Sequence, residues 1–319
     1  MKVLANDGLA LGGITALENA GFEVDLTTVA QNQLVEYINK NKVSVLLVRS
    51  ATKVRKDIID NCPNLKIIGR GGVGMDNIDV EYAREKGINV INTPAASSHS
   101  VAELVFAHLF GLVRFLHESN RNMPLIGDSK FNDLKKSYAK GIELKGKTIG
   151  ILGFGRIGQA TAKVALGLGM KVVAFDPNLE GATLELEFFD HQTVFFNIKT
   201  ISKEEVLKQA DFISTHVPTQ KGYILSTKEF KLMKNNAFIV NAARGGVIDE
   251  VALVSAIENG EIAGAALDVF EKEPTPEIHL LMNPNISLTP HIGAATTEAQ
   301  DRIGTELASQ IIDFFKTSK

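Results

Sequence analysis

The feature that most constrains this chain is its alternation of short, near-continuous apolar runs with amphipathic segments. Parallel strands buried on both faces read as continuous apolar runs, and they need crossovers, usually helical, to pair. A first series, "KVLA" (2–5), "EVDL" (23–26), "VSVLLVR" (43–49), "LKIIGR" (65–70) and "NVINT" (89–93), has "ITALENAG", "QLVEYINKN" and "VRKDIIDNCP" between its members. A second series, "KTIGILGFG" (147–155), "KVVAFDP" (171–177), "FISTHVP" (212–218), "AFIVNAAR" (237–244), "GAALDVF" (264–270) and "ISLTPH" (286–291), repeats the pattern. The spacing predicts an α/β fold with two parallel-sheet domains, Rossmann-like or flavodoxin-like.

The segment 97–123, "SSHSVAELVFAHLFGLVRFLHESNRNM", keeps apolar residues at helical spacing behind a serine-rich start, and predicts one long helix joining the two series or serving a subunit interface. The segment 181–199, "GATLELEFFDHQTVFFNIK", fits neither period well and is expected to be an insertion or irregular extension. The amphipathic C-terminal segment follows the last strand and can cross back to the first series. The expected domains are therefore 1–97 plus 291–319, binding substrate, and an inserted 98–290, with the site in the cleft between them.

Composition narrows the function. A net charge of −3 without a Lys/Arg block gives no nucleic-acid footprint. No apolar run approaches the roughly 18 residues of a membrane span, and the N-terminus reads as a strand rather than a signal peptide. Cys62 is the only cysteine, which excludes intramolecular disulfides and Cys-based zinc sites; it is expected to be a plain buried or half-buried thiol. These readings place the chain in the cytoplasm, acting on a small molecule, with no nucleic-acid or membrane partner and no metal.

Gly153, Gly155 and Gly158 form G-x-G-x-x-G directly after a strand and at the start of a helix. This pattern suits a tight turn, close approach of a pyrophosphate and close helix–strand packing. Asp176 ends the next strand about twenty residues on, where a carboxylate bonds a ribose 2′-hydroxyl and repels a 2′-phosphate. NAD is thus expected over NADP. Arg244, in "NAARGG", sits at the C-terminal end of an expected central strand, where open α/β sheets bind ligands, and its planar fork suits a carboxylate.

"ALDVFEKEPTP" supplies Asp268, Glu271 and Glu273, and "TPHIGAAT" supplies His291 followed by small residues. An acidic cluster alone reads as a solvated loop. If Glu273 lies beside His291, the pair becomes a proton shuttle near neutral pH, with room before the ring for a nicotinamide and a substrate. The glycine-rich "GRGGVGMDNID" (69–79) offers either a nest of backbone N–H groups or a plain turn. Arg49, at the end of "VSVLLVR", is either a surface arginine or a second cation facing a doubly anionic substrate.

Taken together, these motifs fall in the order and at the spacing of the D-isomer-specific 2-hydroxyacid dehydrogenases, and the chain resembles that family along essentially its whole length. "VRSATKV", "IGRGGVGMDNID" and "SVAEL" resemble most its phosphoglycerate dehydrogenase branch. The resemblance implies that Arg244 binds substrate carboxylate and carbonyl, that His291 is the acid/base and that Glu273 is its partner. It implies Val73 and Gly74 at the substrate carboxylate and Arg49 at a phosphate. It implies a cofactor set of Arg156 and Ile157 along the pyrophosphate, His216, Val217 and Pro218 lining the cleft, Asp268 near the nicotinamide, and Ala242, Gly293 and Ala294. The expected reaction is NAD-dependent oxidation of D-3-phosphoglycerate to 3-phosphohydroxypyruvate, the first step of L-serine biosynthesis, by a homodimer. Ser97 departs from the branch, which commonly has asparagine there. The chain stops at Lys319, so no serine-binding regulatory module is expected. Alternative readings are another D-2-hydroxyacid dehydrogenase, of glyoxylate/hydroxypyruvate or lactate type, and an NADH-sensing corepressor-like binding protein. A Rossmann methyltransferase would not need Arg244, Glu273 and His291 together.

Overall fold

A computed structural model of the protein describes residues 1–317. In chain order the elements are β1 (Lys2–Ala5), α1 (Leu11–Asn19), β2 (Glu23–Asp25), α2 (Leu34–Lys40), β3 (Val43–Val48), α3 (Lys56–Asn61), β4 (Ile67–Arg70), α4 (Val80–Glu85) and β5 (Asn89–Asn92). There follow α5 (Ser98–Val113), α6 (Leu116–Ile126), α7 (Phe131–Ser137), β6 (Thr148–Leu152), α8 (Arg156–Gly167), β7 (Lys171–Phe175), β8 (Gly181–Glu187), β9 (Thr193–Lys199) and α9 (Lys203–Gln209). The last are β10 (Phe212–Thr215), α10 (Thr227–Phe230), β11 (Phe238–Asn241), α11 (Glu250–Glu258), β12 (Gly264–Leu267), α12 (Ile278–Leu281), β13 (Ile286–Leu288) and α13 (Thr297–Thr317).

The chain forms two compact units, one of Met1–Ser98 with the chain from Ala294 onward, the other of His99–Gly293. The first carries a parallel sheet of order β2-β1-β3-β4-β5, the flavodoxin-like doubly wound order. One face is closed by α2, α3 and α4 through Leu34, Ile38, Ile58 and Ala83. The other is closed by α1 and α13 through Leu17, Ile303, Leu307 and Ile311. Cys62 is buried in the first of these cores, and burial pushes its thiol up to about 11.

The second unit carries a parallel sheet of order β13-β12-β11-β10-β6-β7. After β6 the chain turns outward to β7, and it later returns to β10 on the other side of β6. The loops after β6 and β10 therefore flank the switch point at which open α/β sheets bind ligands. One face is packed by α9, α10 and α11, and the other by α5, α8 and the β8–β9 pair. The start of α9 is fixed by a capping box between Ser202 and Glu205.

Two expectations are corrected. The stretch 97–123 is two helices, bent by 55°. The break has a local cause: the carbonyl of Val113 accepts from Ile142 N–H at 3.0 Å, and Phe115 turns left-handed at φ 53°. The Phe115 ring then meets that of Tyr138, whose hydroxyl accepts from Asn122 at 2.7 Å. No single helix among the described residues is long and apolar enough to cross a membrane. The stretch 181–199 is an antiparallel hairpin, with Leu184 opposite Phe196 and Glu185 opposite Phe195. Ala182, Leu184, Leu186, Phe196 and Ile198 face the core, while Thr183, Glu185, Glu187 and Phe195 face out. Thr200 bridges to Ala174 of β7, so the hairpin shelters an edge strand.

Candidate active site

The loop after β6 is built as a cradle. Gly153 takes φ 94°, and a Cβ there would strike the His216 carbonyl. A Cβ on Gly158 would collide with the carbonyl of Gly153, so helix and turn can close only on glycine. At Gly155 the reverse holds: nothing lies within 4 Å of where a Cβ would stand. Gly155 is also the N-cap of α8 and offers no side-chain acceptor to Arg156, Ile157 and the following first-turn residues. An open cradle facing uncapped N–H groups suits a pyrophosphate. Asp176 Oδ2 accepts from Phe154 N–H and Oδ1 from Asn178 N–H, both at 2.8 Å, which pins the carboxylate beside the cradle with lone pairs to spare. His216, Val217 and Pro218 follow β10 on the other side. His216 Nε2 lies 2.9 Å from Ser214 Oγ, Nδ1 is buried without a partner among the described residues, and burial drives the ring's pKa down to about 3, so it is neutral. These residues fit NAD.

A second cluster forms at the C-terminal ends of β11, β12 and β13. Arg244 is half-buried, with Nη1 donating to the Ala243 carbonyl at 2.6 Å, while Asn241 Nδ2 donates to the Arg244 carbonyl at 2.9 Å. Ala242, between them, is buried. Glu273 Oε2 lies 2.9 Å from His291 Nδ1, and Oε1 accepts from Phe270 N–H at 3.1 Å. Partial burial raises the Glu273 carboxyl, but the His291 hydrogen bond, its charge and that of Arg244 outweigh this and hold it below its ordinary range. A carboxylate can only accept, so Nδ1 carries the proton and Nε2 is the nitrogen left as an acceptor.

The His291 loop is held from behind. His291 adopts φ 55°, a left-handed conformation that costs a non-glycine residue about 1–3 kcal/mol. Buried Asp268 compensates by binding the loop on both sides. Its Oδ1 accepts from Thr289 Oγ1 at 2.6 Å and Ile292 N–H at 2.8 Å, and its Oδ2 from Gly293 N–H at 2.8 Å. Ser100 Oγ donates to the Gly293 carbonyl at 2.6 Å. The chain of contacts continues to His108 on α5, with Nε2 2.9 Å from Thr289 Oγ1 and Nδ1 2.8 Å from Ser287 Oγ. Donor logic orders it. Thr289 spends its proton on Asp268, so it accepts from His108 Nε2–H, and His108 Nδ1 accepts from Ser287. Burial lowers the His108 pKa, against the pull of Asp268, which keeps the ring neutral for this arrangement.

In the first unit, Arg49, Val73 and Gly74 gather at the C-terminal edge of the sheet. Arg49 follows β3, its N–H donates to Asp7 Oδ2 at 2.6 Å, and its stem would lie 3.6 Å from a Cβ on Gly71. The Val73 carbonyl accepts from Asn92 Nδ2 at 2.7 Å. Arg70, within the quoted glycine-rich motif but not singled out from sequence, packs its guanidinium against Gly72. Ala294, in the same unit, accepts through its carbonyl from Gln300 Nε2 at 2.6 Å. His108, Ser287 and Thr289 also escaped the sequence reading. A histidine within an apolar helix was the signal available for the first of them.

Residues 106–293 match the family described as "D-isomer specific 2-hydroxyacid dehydrogenase, NAD binding domain". D-3-phosphoglycerate dehydrogenase of Methanocaldococcus jannaschii is 43% identical over 98% of this chain and 57% of its own length. Hydroxypyruvate reductase of Thermotoga maritima is 43% identical over 97% of each chain. The crystal structure of D-lactate dehydrogenase from Aquifex aeolicus, with NAD and lactic acid, superposes with a TM-score of 0.76 at 28% identity, over 99% of this chain and 96% of that one. The chain belongs to the D-isomer-specific 2-hydroxyacid dehydrogenase family. It carries that family's NAD-binding domain, and its cofactor is NAD. It spans 56–58% of the length of the phosphoglycerate dehydrogenases it matches.

Proposed function

We propose that the protein is a homodimeric, cytoplasmic enzyme that oxidises the 2-hydroxyl of D-3-phosphoglycerate to 3-phosphohydroxypyruvate. The reaction core is the Arg244, Glu273 and His291 cluster. Arg244 holds the substrate carboxylate with its planar fork and polarises the forming carbonyl. His291, with Nδ1–H committed to Glu273, accepts the hydroxyl proton at Nε2 and returns it in the reverse direction. NAD, when bound, supplies the acceptor for the hydride leaving C2. The observation that carries the phosphorylated substrate is the pair of arginines at the glycine-rich loop, Arg49 beside Gly71 and Arg70 against Gly72. Two cations around one nest suit a group with more than one negative charge. A second reading, hydroxypyruvate reduction, is favoured by the Thermotoga relative, which matches across the full length of both chains.

The test is kcat/KM for 3-phosphoglycerate oxidation and for hydroxypyruvate and glyoxylate reduction in Arg49→Ala and Arg244→Ala. Arg244→Ala is expected to damage all three. Arg49→Ala is expected to cost the phosphorylated substrate a charge-assisted hydrogen bond, roughly 1.5–3 kcal/mol, and the others much less. Equal losses would remove the phosphate and move hydroxypyruvate ahead.

A further inference from the structure

The β8–β9 hairpin presents a surface that the described residues of its own chain leave uncovered. Phe189 at the tip is fully exposed, Phe195 is 62% exposed on the outer face and Phe188 is 48% exposed. Three phenylalanines offered to water within eight residues mark an interaction surface. Around them stand Glu180, Glu185, Glu187 and Asp190, against Lys199 as the only lysine or arginine from 180 to 199. The opposite combination occurs elsewhere in the same unit, on α6, α7 and the turns that flank them. There Leu116, Leu125 and Phe131 are 61%, 74% and 56% exposed. Arg114, Arg121, Lys130, Lys135, Lys136 and Lys140 outnumber Glu118, Asp128 and Asp133 across 114–140.

We propose that the hairpin is an intersubunit clasp, its acidic, aromatic tip seated on the basic, apolar α6–α7 surface of a second copy of this chain. The proposal rests on the homodimer reading above and adds the contact that makes it. Charge complementarity selects the occupant. Carboxylates beside exposed aromatics disfavour an anionic lipid surface, and each copy offers both a clasp and a seat. Two copies related by a twofold axis would make the contact twice, since residue i then meets j where j meets i. The aromatic side chains supply the desolvated centre, and the charges steer and orient it.

The experiment is self-association of the full chain by sedimentation velocity over a range of concentrations. F189S/F195S, E185K/E187K and K135E/K136E are each expected to weaken association by about tenfold or more relative to wild type. Combining E185K/E187K with K135E/K136E in one chain re-pairs opposite charges, and is expected to recover most of the loss. All of these positions are solvent-facing, so an unchanged circular dichroism spectrum and melting temperature keep the comparison fair. If wild type associates and the variants match it, or if the combined variant is weaker than either charge reversal, the clasp is wrong while the dimer stands. If wild type stays monomeric at every concentration, the clasp and the dimer both fall.

Discussion

His291 is held in a backbone conformation that glycine would take more readily, and the surrounding structure keeps it there. Asp268 accepts from two N–H groups and a hydroxyl of the loop, and Glu273 accepts from the ring's Nδ1–H. Glu273 carries a depressed pKa, so its carboxylate keeps its charge below the ordinary range. Glu273→Gln keeps a hydrogen-bond acceptor but loses that charge. If the pair moves the reacting proton together, the acidic limb of the kcat/KM profile for oxidation is expected to move to lower pH. An unmoved limb would separate Glu273 from the proton shuttle. At the far end of the network, His108→Leu leaves Thr289 and Ser287 without their ring partner. It is expected to cost about 1–3 kcal/mol of stability in denaturant titration. A loss well below that would mean the His108 contacts contribute little. Arg244 and His291 could be singled out from sequence by a strand end and by small neighbours, and Glu273 only through the family motif that holds it. The role of His108 could not, because its partners lie some 180 positions away and only the fold brings them together.

At the scale of elements, the strands were the most legible part. The inner parallel strands are built on apolar runs, as in VSVLLV of β3 and TIGIL of β6, whereas the edge strand β2, EVD, is not. The long helix misled because its apolar spacing continues past Val113, whereas its end is set by a carbonyl captured by Ile142. The hairpin had a signal of its own, since "TLELE" alternates strictly, apolar inward and polar outward. The aromatic run "FF" and the turn at His191, φ 65°, masked it. The C-terminal helix was legible as amphipathic, and the structure shows what its apolar stripe covers. Gly13 and Gly304 let α13 approach α1 so closely that a Cβ on Gly13 would strike the backbone of Gly304. Leu307, only 2% exposed, fills the core between α13 and the sheet. Leu307→Ala is expected to destabilise the first unit by about 2–5 kcal/mol, read from the midpoint of urea unfolding. A change under about 1 kcal/mol would mean that α13 is dispensable to that core.

At the scale of the whole chain, the two units have separate apolar cores, those of the NAD-binding sheet lying wholly within His99–Gly293. Ligand linkage then makes a regional prediction. A ligand that binds the folded state alone stabilises it by RT ln(1 + [L]/Kd), so NAD at a hundred times its Kd contributes about 2.7 kcal/mol. The cradle residues and Asp176 all belong to one unit, so that stabilisation is expected to appear as slower amide exchange in β6, β7, β10 and β11. Exchange in β1, β3 and β4 is expected to stay as it is without NAD. Asp176→Ala removes a charged hydrogen bond worth roughly 1.5–3 kcal/mol, raising Kd about ten- to a hundredfold. At the same NAD concentration the stabilisation should fall to about 0.4–1.4 kcal/mol, and the discrimination against NADP should narrow. Protection spread evenly over both sheets would show that the units unfold as one body. Protection in the NAD-binding sheet that survives Asp176→Ala undiminished would move the ribose away from that carboxylate.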